Sequence, residues 1–270
     1  MNRLFGIILA LVWIVAMAAL VKRDMVPFWM AEDLPAGFAP DQDTQWGIFD
    51  ADDRSIGTAW IAVRRTSGET TVESTTSLDF RGVPILLDSA FTSLGETGIE
   101  QFQFRLLGAP VPILVRGERI GRDFSCSAKI GKIVNTFSLD ARLSQFLGES
   151  FRPFSHLGGL HVGQSWRIRL LDPLALIKDR TIDFKVQLAR VTKREVIEHD
   201  GSDVECFRIE SNGSVAWADD TGRILRQEVQ VPLLGRCVLE NEPFDRAARA
   251  AARAVGTTRR QYPLTTTSTD

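Results

Sequence analysis

QFQFRL, residues 101–106, alternates apolar and polar side chains with a period of two. Successive side chains of a β-strand point to opposite faces, so Phe102, Phe104 and Leu106 share one face of a strand. The opposite face carries only glutamine and arginine. A strand with one buried and one wet face is typical of an antiparallel sheet. This pattern recurs along the chain and decides the predicted fold class.

Three further segments show the same alternation. The side chains predicted on their buried faces are Val72, Leu78 and Phe80, then Trp166, Ile168 and Leu170, then Phe184, Val186 and Leu188. Acidic turns at residues 50–53, 199–202 and 219–222 separate alternating runs and predict hairpin tips. We therefore predict a mainly β domain over residues 44–242: an antiparallel, strongly curved sheet or a half-open barrel or sandwich. Residues 139–163 break the alternation and are expected to divide two meanders of one sheet.

An uncharged apolar run, residues 4–21, precedes this domain. Its 18 residues fall within the range of about 17 to 25 that crosses a hydrocarbon core. The residues assigned to the membrane anchor are Leu4, Phe5, Ile7, Ile8, Leu9, Leu11, Val12, Trp13, Ile14, Val15, Leu20 and Val21. Residues 1–23 are thus predicted to be a transmembrane signal-anchor, and residues 24–43, rich in Pro, Asp, Ala and Gly, a juxtamembrane stalk.

The alternative for the same run is a cleaved signal peptide, with Ala16-Met17-Ala18 as the cleavage site. Either version exports the long downstream domain. We place the protein as a single-pass protein of the bacterial inner (cytoplasmic) membrane, with its C-terminal domain on the extracytoplasmic side.

Charge and composition exclude several classes of function. The 270 residues include 32 basic and 34 acidic ones, which is not the charge balance of a nucleic-acid binder. Residues 1–23 hold three basic and no acidic residues, so the remainder carries a formal charge of −5. Three cysteines and three histidines leave little material for thiol, imidazole or metal chemistry. No cofactor, metal ligand or catalytic residue is assigned.

The cysteines and histidines have competing interpretations. Cys206 and Cys237 lie in strand-like runs and could pair in an exported compartment, leaving Cys126 odd. Three buried free thiols are the preferred interpretation. His156 and His161 flank a glycine pair but lack a third metal ligand at a defined spacing, so a structural or solvent-facing role is preferred.

The acidic turns could serve chemistry or structure. Asp50, Asp52 and Asp53 do not follow a calcium-loop pattern, because Arg54 stands where a third acid is expected. A pair drawn from these carboxylates and from Asp219 and Asp220 could support hydrolysis, although nothing in the sequence selects a pair. We interpret these acids as turn residues that cap backbone NH groups.

The C-terminal residues 243–270 differ in composition from the sheet. Residues 244–255, FDRAARAAARAV, predict a short helix, with Asp245 at its start and Gly256 at its end. Arg246, Arg249 and Arg253 share one face of it. That face could contact anionic headgroups or an acidic partner, and a plain solvated face is the preferred interpretation. The polar tail PLTTTSTD follows.

Several segments together resemble a known bacterial arrangement: WGIFDADDRSIGTAW at residues 46–60, GQSWRI at 163–168, LDPL at 171–174 and AWADDTGRILRQEV at 216–229. The stretch from Trp46 to Glu242 is similar to the extracytoplasmic β-rich region that precedes the catalytic core of membrane-anchored transglutaminase-like proteins. The resemblance also extends to the curved half-open barrels of lipoprotein-carrier-like folds. Only 28 residues follow Glu242, without Cys or His, so the resemblance implies an accessory module without its enzyme.

The leading functional hypothesis is a non-enzymatic binding or scaffolding module of the bacterial cell envelope. It is tethered to the membrane and meets an envelope or integral-membrane protein there, with lipid as a further possible partner and no nucleic acid. The alternative is a carrier or sensor that holds a lipid or other apolar ligand in the curved sheet. A lower alternative is a carboxylate-based hydrolase.

Overall fold

The computed structural model describes residues 31–33, 42–80, 82–94, 99–108, 111–140, 157–171, 184–231 and 235–258. The predicted anchor, most of the predicted stalk, His156 and the polar tail lie outside these ranges. No helix within the described ranges has the length and apolar character of a membrane span.

Fifteen strands and one helix make up the described chain. The strands are β1 Glu32–Asp33, β2 Gln42–Phe49, β3 Ser55–Thr66, β4 Glu69–Phe80, β5 Val83–Leu94, β6 Ile99–Leu107, β7 Ile113–Ile120, β8 Asp123–Ile130, β9 Ile133–Asp140, β10 Ser165–Leu171, β11 Phe184–His199, β12 Ser202–Ser211, β13 Ser214–Ala218, β14 Ile224–Val231 and β15 Gly235–Glu242. The helix α1 spans Arg246–Thr258.

All fifteen strands belong to one sheet, in the order β1-β10-β11-β12-β13-β14-β15-β2-β3-β4-β5-β6-β7-β8-β9. Strands β2 to β9 form one meander and β10 to β15 another, as the break at residues 139–163 predicts. The two are joined by the antiparallel pairing of β15 with β2, where Glu240 lies opposite Gly47. The mainly antiparallel fold class and the three predicted hairpin tips are confirmed; the pairing of β1 with β10 is parallel.

One face of the sheet, here called the inner face, carries two apolar cores. The first core lies on β2, β3 and β10 to β14 and consists of Trp46, Ile48, Ala59, Trp166, Ala189, Val191, Phe207, Ile209, Ala218 and Ile224. The second core lies on β3 to β8 and consists of Val63, Val72, Phe91, Ile99, Phe102, Phe124 and Cys126. Ile61 on β3 packs against both cores, which places them on the same face.

The inner face is deeply buried. Trp166, Val191 and Ala218 are at most 1% exposed. Apolar side chains reach such burial only when they are covered, so this face of the sheet holds the main cores of the described chain. The helix α1 packs on the opposite, outer face, against β4 and β5.

Two expectations about the ends of the domain need correction. Ala31 is buried and Glu32–Asp33 pairs with β10, so this part of the predicted stalk belongs to the sheet. The sheet also resumes at Gln42, before the predicted start of the domain. Gly256 does not end α1, which continues to Thr258, because glycine lowers helix propensity by about 1 kcal/mol without excluding helical angles.

Candidate functional site

The first core is not completely filled. A cavity of about 250 Å³ lies on the inner face of β10 to β14. Its apolar wall includes Leu157, Trp166, Ile168, Ile209, Ala216 and Ile224. Its polar wall consists of Gln187, Ser211, Asn212, Ser214, Gln227 and Gln230. The exposure of Asn212 and Gln230 places the mouth of the cavity beside the β12–β13 hairpin.

The cavity wall carries no charge. Among its described lining residues there is no Asp, Glu, Lys, Arg or His. The amides and hydroxyls can donate or accept hydrogen bonds at the mouth, while the apolar wall offers contact area. Ser211 donates its hydroxyl to Oε1 of Gln187 at 3.2 Å, which fixes one amide of the polar wall. Such a composition suits an uncharged or largely apolar ligand.

Trp166, which lines part of this wall, carries an unsatisfied donor. Its side chain is 1% exposed, and its indole Nε1 has no hydrogen-bond partner in the described part of the chain. Two other buried tryptophans donate normally: Trp60 to Oε1 of Gln45 at 2.8 Å and Trp217 to Oε1 of Glu195 at 2.5 Å. A buried donor without a partner costs about 1–3 kcal/mol. The accessible surface of Trp166 Nε1 is below 1 Å², so the open space of the cavity does not reach this nitrogen.

One end of the cavity is closed by the segment that leads into β10. The backbone N of Leu157 donates to the carbonyl oxygen of Gly222 at 2.8 Å, and the Leu157 side chain packs on the first core. Gly222 has a φ of +88° and would bring any Cβ into collision with the Leu157 carbonyl. Glycine is therefore required here by both backbone conformation and close approach.

The face of β11 that lies on the inner side of the sheet is the opposite of the predicted one. Gln187 lies across from Ile168, and Ala189 lies across from Trp166, so these residues face inward. Val186, predicted on the buried face with Phe184 and Leu188, is 46% exposed. Apolar residues occur at both even- and odd-numbered positions of this strand, so the alternation alone does not show which face of the strand lies inward. The pairing with β10 does select it, and it brings Gln187 into the cavity wall.

The acidic side chains of two predicted turns stabilise the turns themselves. Oδ1 of Asp50 accepts hydrogen bonds from the backbone N of Asp52 and Arg54. Oδ1 of Asp219 accepts from the backbone N of Thr221 and Arg223 in the same way. Both side chains cap NH groups of their own turn, as predicted. No cluster of three metal-ligating side chains occurs among the described residues.

The cysteines and the remaining histidine of the candidate list lie apart. Cys126, Cys206 and Cys237 are buried free thiols, so the preferred interpretation is confirmed and the Cys206–Cys237 pairing is wrong. The register places Cys237 on the inner face and Cys206 on the outer face, which keeps the two thiols apart. Burial raises the pKa of Cys126 to about 11, which makes it a poor nucleophile. His161 is exposed.

The arginine face of α1 binds the chain's own sheet, so the solvated interpretation is wrong. Arg249 and Arg253 both donate to Oε2 of Glu73, at 2.9 and 3.1 Å, and Arg253 also donates to Thr75. Arg249 retains only 14% of its side-chain exposure, and burial lowers its pKa. Asp245 caps the helix by accepting from two backbone N atoms. The acidic partners of this face are thus carboxylates of the sheet itself, chiefly Glu73 on β4.

Removing the shared carboxylate should loosen α1. We expect Glu73→Gln to lower the free energy of unfolding by about 1–2 kcal/mol, because two charge-assisted hydrogen bonds are lost at a partly exposed site. Glu69→Gln, on the same strand but exposed and remote from the helix, is the control and should change little. Urea denaturation measures both, and amide hydrogen exchange should accelerate within residues 246–258 of the first variant only. Equal behaviour of the two variants would contradict the docking.

Comparison with known proteins assigns no family. No protein-family model matches the chain, and no curated protein matches it. A β-barrel-like protein of domain of unknown function DUF1849 from Brucella abortus aligns with 11% identity and a TM-score of 0.36, over 74% of this chain and 96% of that one. A DUF1089 family protein from Pseudomonas aeruginosa aligns with 15% identity and a TM-score of 0.29, over 62% and 87%. Likenesses at these scores carry no inference about function.

Proposed function

We propose that this protein is a non-enzymatic binding module of the bacterial cell envelope. Residues 4–21 tether it to the inner membrane, and the β domain faces the extracytoplasmic side. Its ligand site is the cavity of the first core, and its ligand is an apolar molecule or one segment of a lipid. The observation that carries this proposal is an uncharged, partly apolar cavity on the inner face of β10 to β14.

The size of the cavity limits what it holds. A volume of about 250 Å³ lies just below the range of about 300–1,000 Å³ that is typical of small-molecule sites. The cavity therefore suits a small molecule or one segment of an acyl chain. Tethering keeps the cavity within a thin layer above the bilayer, so even a weak site meets its ligand often.

The other hypotheses from the sequence have less support. The carboxylates of Asp50 and Asp219 are engaged by the backbone of their own turns, which counts against surface hydrolysis. The accessory-region resemblance is compatible with a binding module, and it remains a prediction. A protein partner in the envelope is also compatible with it, but no described surface selects one.

Photo-crosslinking in intact membranes tests the proposal. Cells that express the full chain are fed a diazirine-bearing fatty acid, which enters their membrane lipids, and crosslinked peptides are mapped by mass spectrometry. We expect labelled peptides from residues 186–231, which border the cavity. Labelling confined to residues 1–30 would overturn the proposal, and crosslinks to an envelope protein in its place would favour scaffolding.

A matched pair of variants locates the label. Ala216→Phe adds an aromatic ring inside the cavity wall, and we expect it to reduce labelling of residues 186–231 at least about fivefold. Val196→Phe adds the same ring to a position of β11 that is 62% exposed and does not line the cavity, and labelling should not change. Equal labelling of the two variants would place the lipid outside the cavity.

A further inference from the structure

We propose that the tip of the β8–β9 hairpin docks end-on onto the surface of an anionic phospholipid bilayer. The apolar side chains of Val111, Ile133 and Val134 enter the headgroup region, and the ammonium groups of Lys129 and Lys132 contact lipid phosphates. These five residues are here called the docking tip. The inference goes beyond ligand binding by the cavity and rests only on the tethering part of the proposed function.

The docking tip is one surface built from two adjacent turns. At the β8–β9 turn, Ile130 pairs with Ile133 across the hairpin. The backbone N of Gly131 in this turn donates to the carbonyl oxygen of Pro112 at 3.0 Å. A Cβ at Gly131 would lie 3.2 Å from Cγ1 of Val111, so the Val111 side chain lies directly against the turn. The β6–β7 connection and the β8–β9 hairpin therefore present their apolar residues together.

Apolar side chains project from both faces of this tip. Ile133 and Val134 are successive residues of β9, so they point to opposite faces, and both are exposed. A strand that packs one face on a core normally carries polar residues on the other face. Exposed apolar residues that cluster in one place mark an interaction surface. End-on entry into a bilayer covers both faces at once, whereas a partner packed on one face would leave the other in water.

The docking tip carries unpaired positive charge in an acidic domain. Lys129 and Lys132 are exposed, and neither pairs with a carboxylate of the described residues. Lys193 on β11, by contrast, pairs with Glu195 at 2.6 Å. Glu118, the acidic residue of β7, lies four ladder positions from Lys129, about 13 Å along the strands and beyond the Debye length of about 8 Å. Residues 24–270 carry a formal charge of −5, so the tip is a local exception that complements an anionic surface.

The docking tip and the mouth of the cavity lie at the same end of the strands. Every second turn of a meander lies at the same end, so the β2–β3 and β8–β9 turns share it. Strand β15 runs antiparallel to β2, with Val238 opposite Phe49, so the β12–β13 turn beside the mouth shares it too. The acidic β2–β3 turn is six strands away from the tip along the sheet, and there Arg54 pairs with Asp50 and Asp52. Docking therefore brings the mouth to the bilayer surface.

The proposed anchor holds the docking tip close to lipid. Residues 22–30 join the anchor to the described chain, and these nine residues span at most about 30 Å at 3.3–3.6 Å for each. A basic and apolar tip that is confined to this layer meets the headgroups at a high effective concentration. A small contact area is therefore sufficient for docking.

Fluorophores at two matched positions test the docking on the full chain in phospholipid nanodiscs. Ile133→Cys and Ile120→Cys each replace an isoleucine that is 64% exposed, at opposite ends of β8. The native cysteines are buried, so a nitrobenzoxadiazole thiol reagent labels the new cysteine. In discs that contain phosphatidylglycerol and a spin-labelled lipid, we expect quenching at residue 133 to be at least about fivefold stronger than at residue 120.

The two lysines should set the lipid preference. For the label at residue 133, we expect each of Lys129→Gln and Lys132→Gln to lower the ratio of docked to undocked protein about fivefold in anionic discs. Lys193→Gln is the control, because that lysine lies outside the tip, and it should change nothing. Discs of phosphatidylcholine alone should give the weak quenching of the double lysine variant.

The wild-type protein provides a readout that does not depend on any variant. Lys129 and Lys132 should be acetylated more slowly in anionic discs than in neutral discs, because lipid phosphates cover them. Lys193, which is exposed and lies outside the tip, is the internal reference. Mass spectrometry measures all three rates. Equal rates for Lys129 and Lys132 in the two kinds of disc would overturn the contact with phosphates.

The remaining outcomes separate this inference from the proposed function. Equal quenching at residues 133 and 120, or none at residue 133, would overturn the docking. A benzophenone at residue 133 that crosslinks to a protein in intact cells, in place of lipid, would overturn the bilayer as the occupant. A chain that does not enter the discs would contradict the proposed anchor, and so the proposed function. The tip should then still bind added phosphatidylglycerol vesicles, and failure to bind them would overturn the docking as well.

Discussion

Gly222→Ala is expected to destabilise the domain by about 3 kcal/mol and to open the closed end of the cavity. A non-glycine residue at a φ of +88° costs about 1–2 kcal/mol by itself. The new Cβ would also collide with the Leu157 carbonyl, which is backbone and can yield only if the segment leading into β10 moves. Displacement of Leu157 would remove part of the apolar wall, so ligand binding should weaken together with stability.

Gly201→Ala is the control for this prediction. Gly201 also has a positive φ, +70°, at the tip of the β11–β12 hairpin, but no atom lies within 4 Å of the position of its Cβ. It should therefore cost only the backbone strain, about 1–2 kcal/mol, and leave lipid labelling of residues 186–231 unchanged. Urea denaturation measures the stability, and photo-crosslinking with the diazirine-bearing fatty acid measures the binding. If the two variants lose the same stability, close packing at Gly222 is not what closes the cavity.

Phe124→Ala is expected to cost about 3–5 kcal/mol without altering the ligand site. Phe124 is fully buried in the second core, where its ring lies 5.9 Å from that of Phe102, so truncation leaves a void among well-packed side chains. The cavity lies in the first core, on strands β10 to β14, and does not include this residue. Lipid labelling of residues 186–231 in the folded variant should match that of the wild-type protein.

Two optical signals can follow this effect separately. The described tryptophans are Trp46, Trp60, Trp166 and Trp217, on β2, β3, β10 and β13, so their fluorescence reports chiefly on the half of the sheet that holds the first core. Circular dichroism reports on all strands. We expect the midpoint of the Phe124→Ala unfolding transition, followed by circular dichroism, to move to a lower urea concentration.

Ile120→Ala is the control. At a position that is 64% exposed, it should change the free energy of unfolding by less than about 0.5 kcal/mol. Weaker lipid labelling of residues 186–231 in a folded Phe124→Ala protein would contradict the separation of the two cores.

Some predicted features of the candidate site are confirmed and others are wrong, and the range of the interactions involved explains the difference. The Asp50 and Asp219 turns could be recognised because their hydrogen bonds are made within four residues of sequence. The docking of α1 could not, because Glu73 is distant in sequence from Arg249, and an arginine stripe has the same pattern whether it faces water, lipid or another strand. The inward face of β11 was predicted wrongly because apolar residues occur at both even- and odd-numbered positions of that strand.

The sequence by itself determined the mainly antiparallel β class, the hairpin tips, the division into two meanders and the helix start at Asp245. Each of these depends on the period-two alternation or on turn and cap residues, which are local properties of the chain. The predicted anchor depends only on local hydropathy as well. Tertiary structure alone decided that β15 pairs with β2, that Gln187 and Trp166 line one wall, and that a cavity remains between β10 and β14. These features depend on how distant strands meet and on how completely their side chains fill the space between them, and no local pattern encodes either.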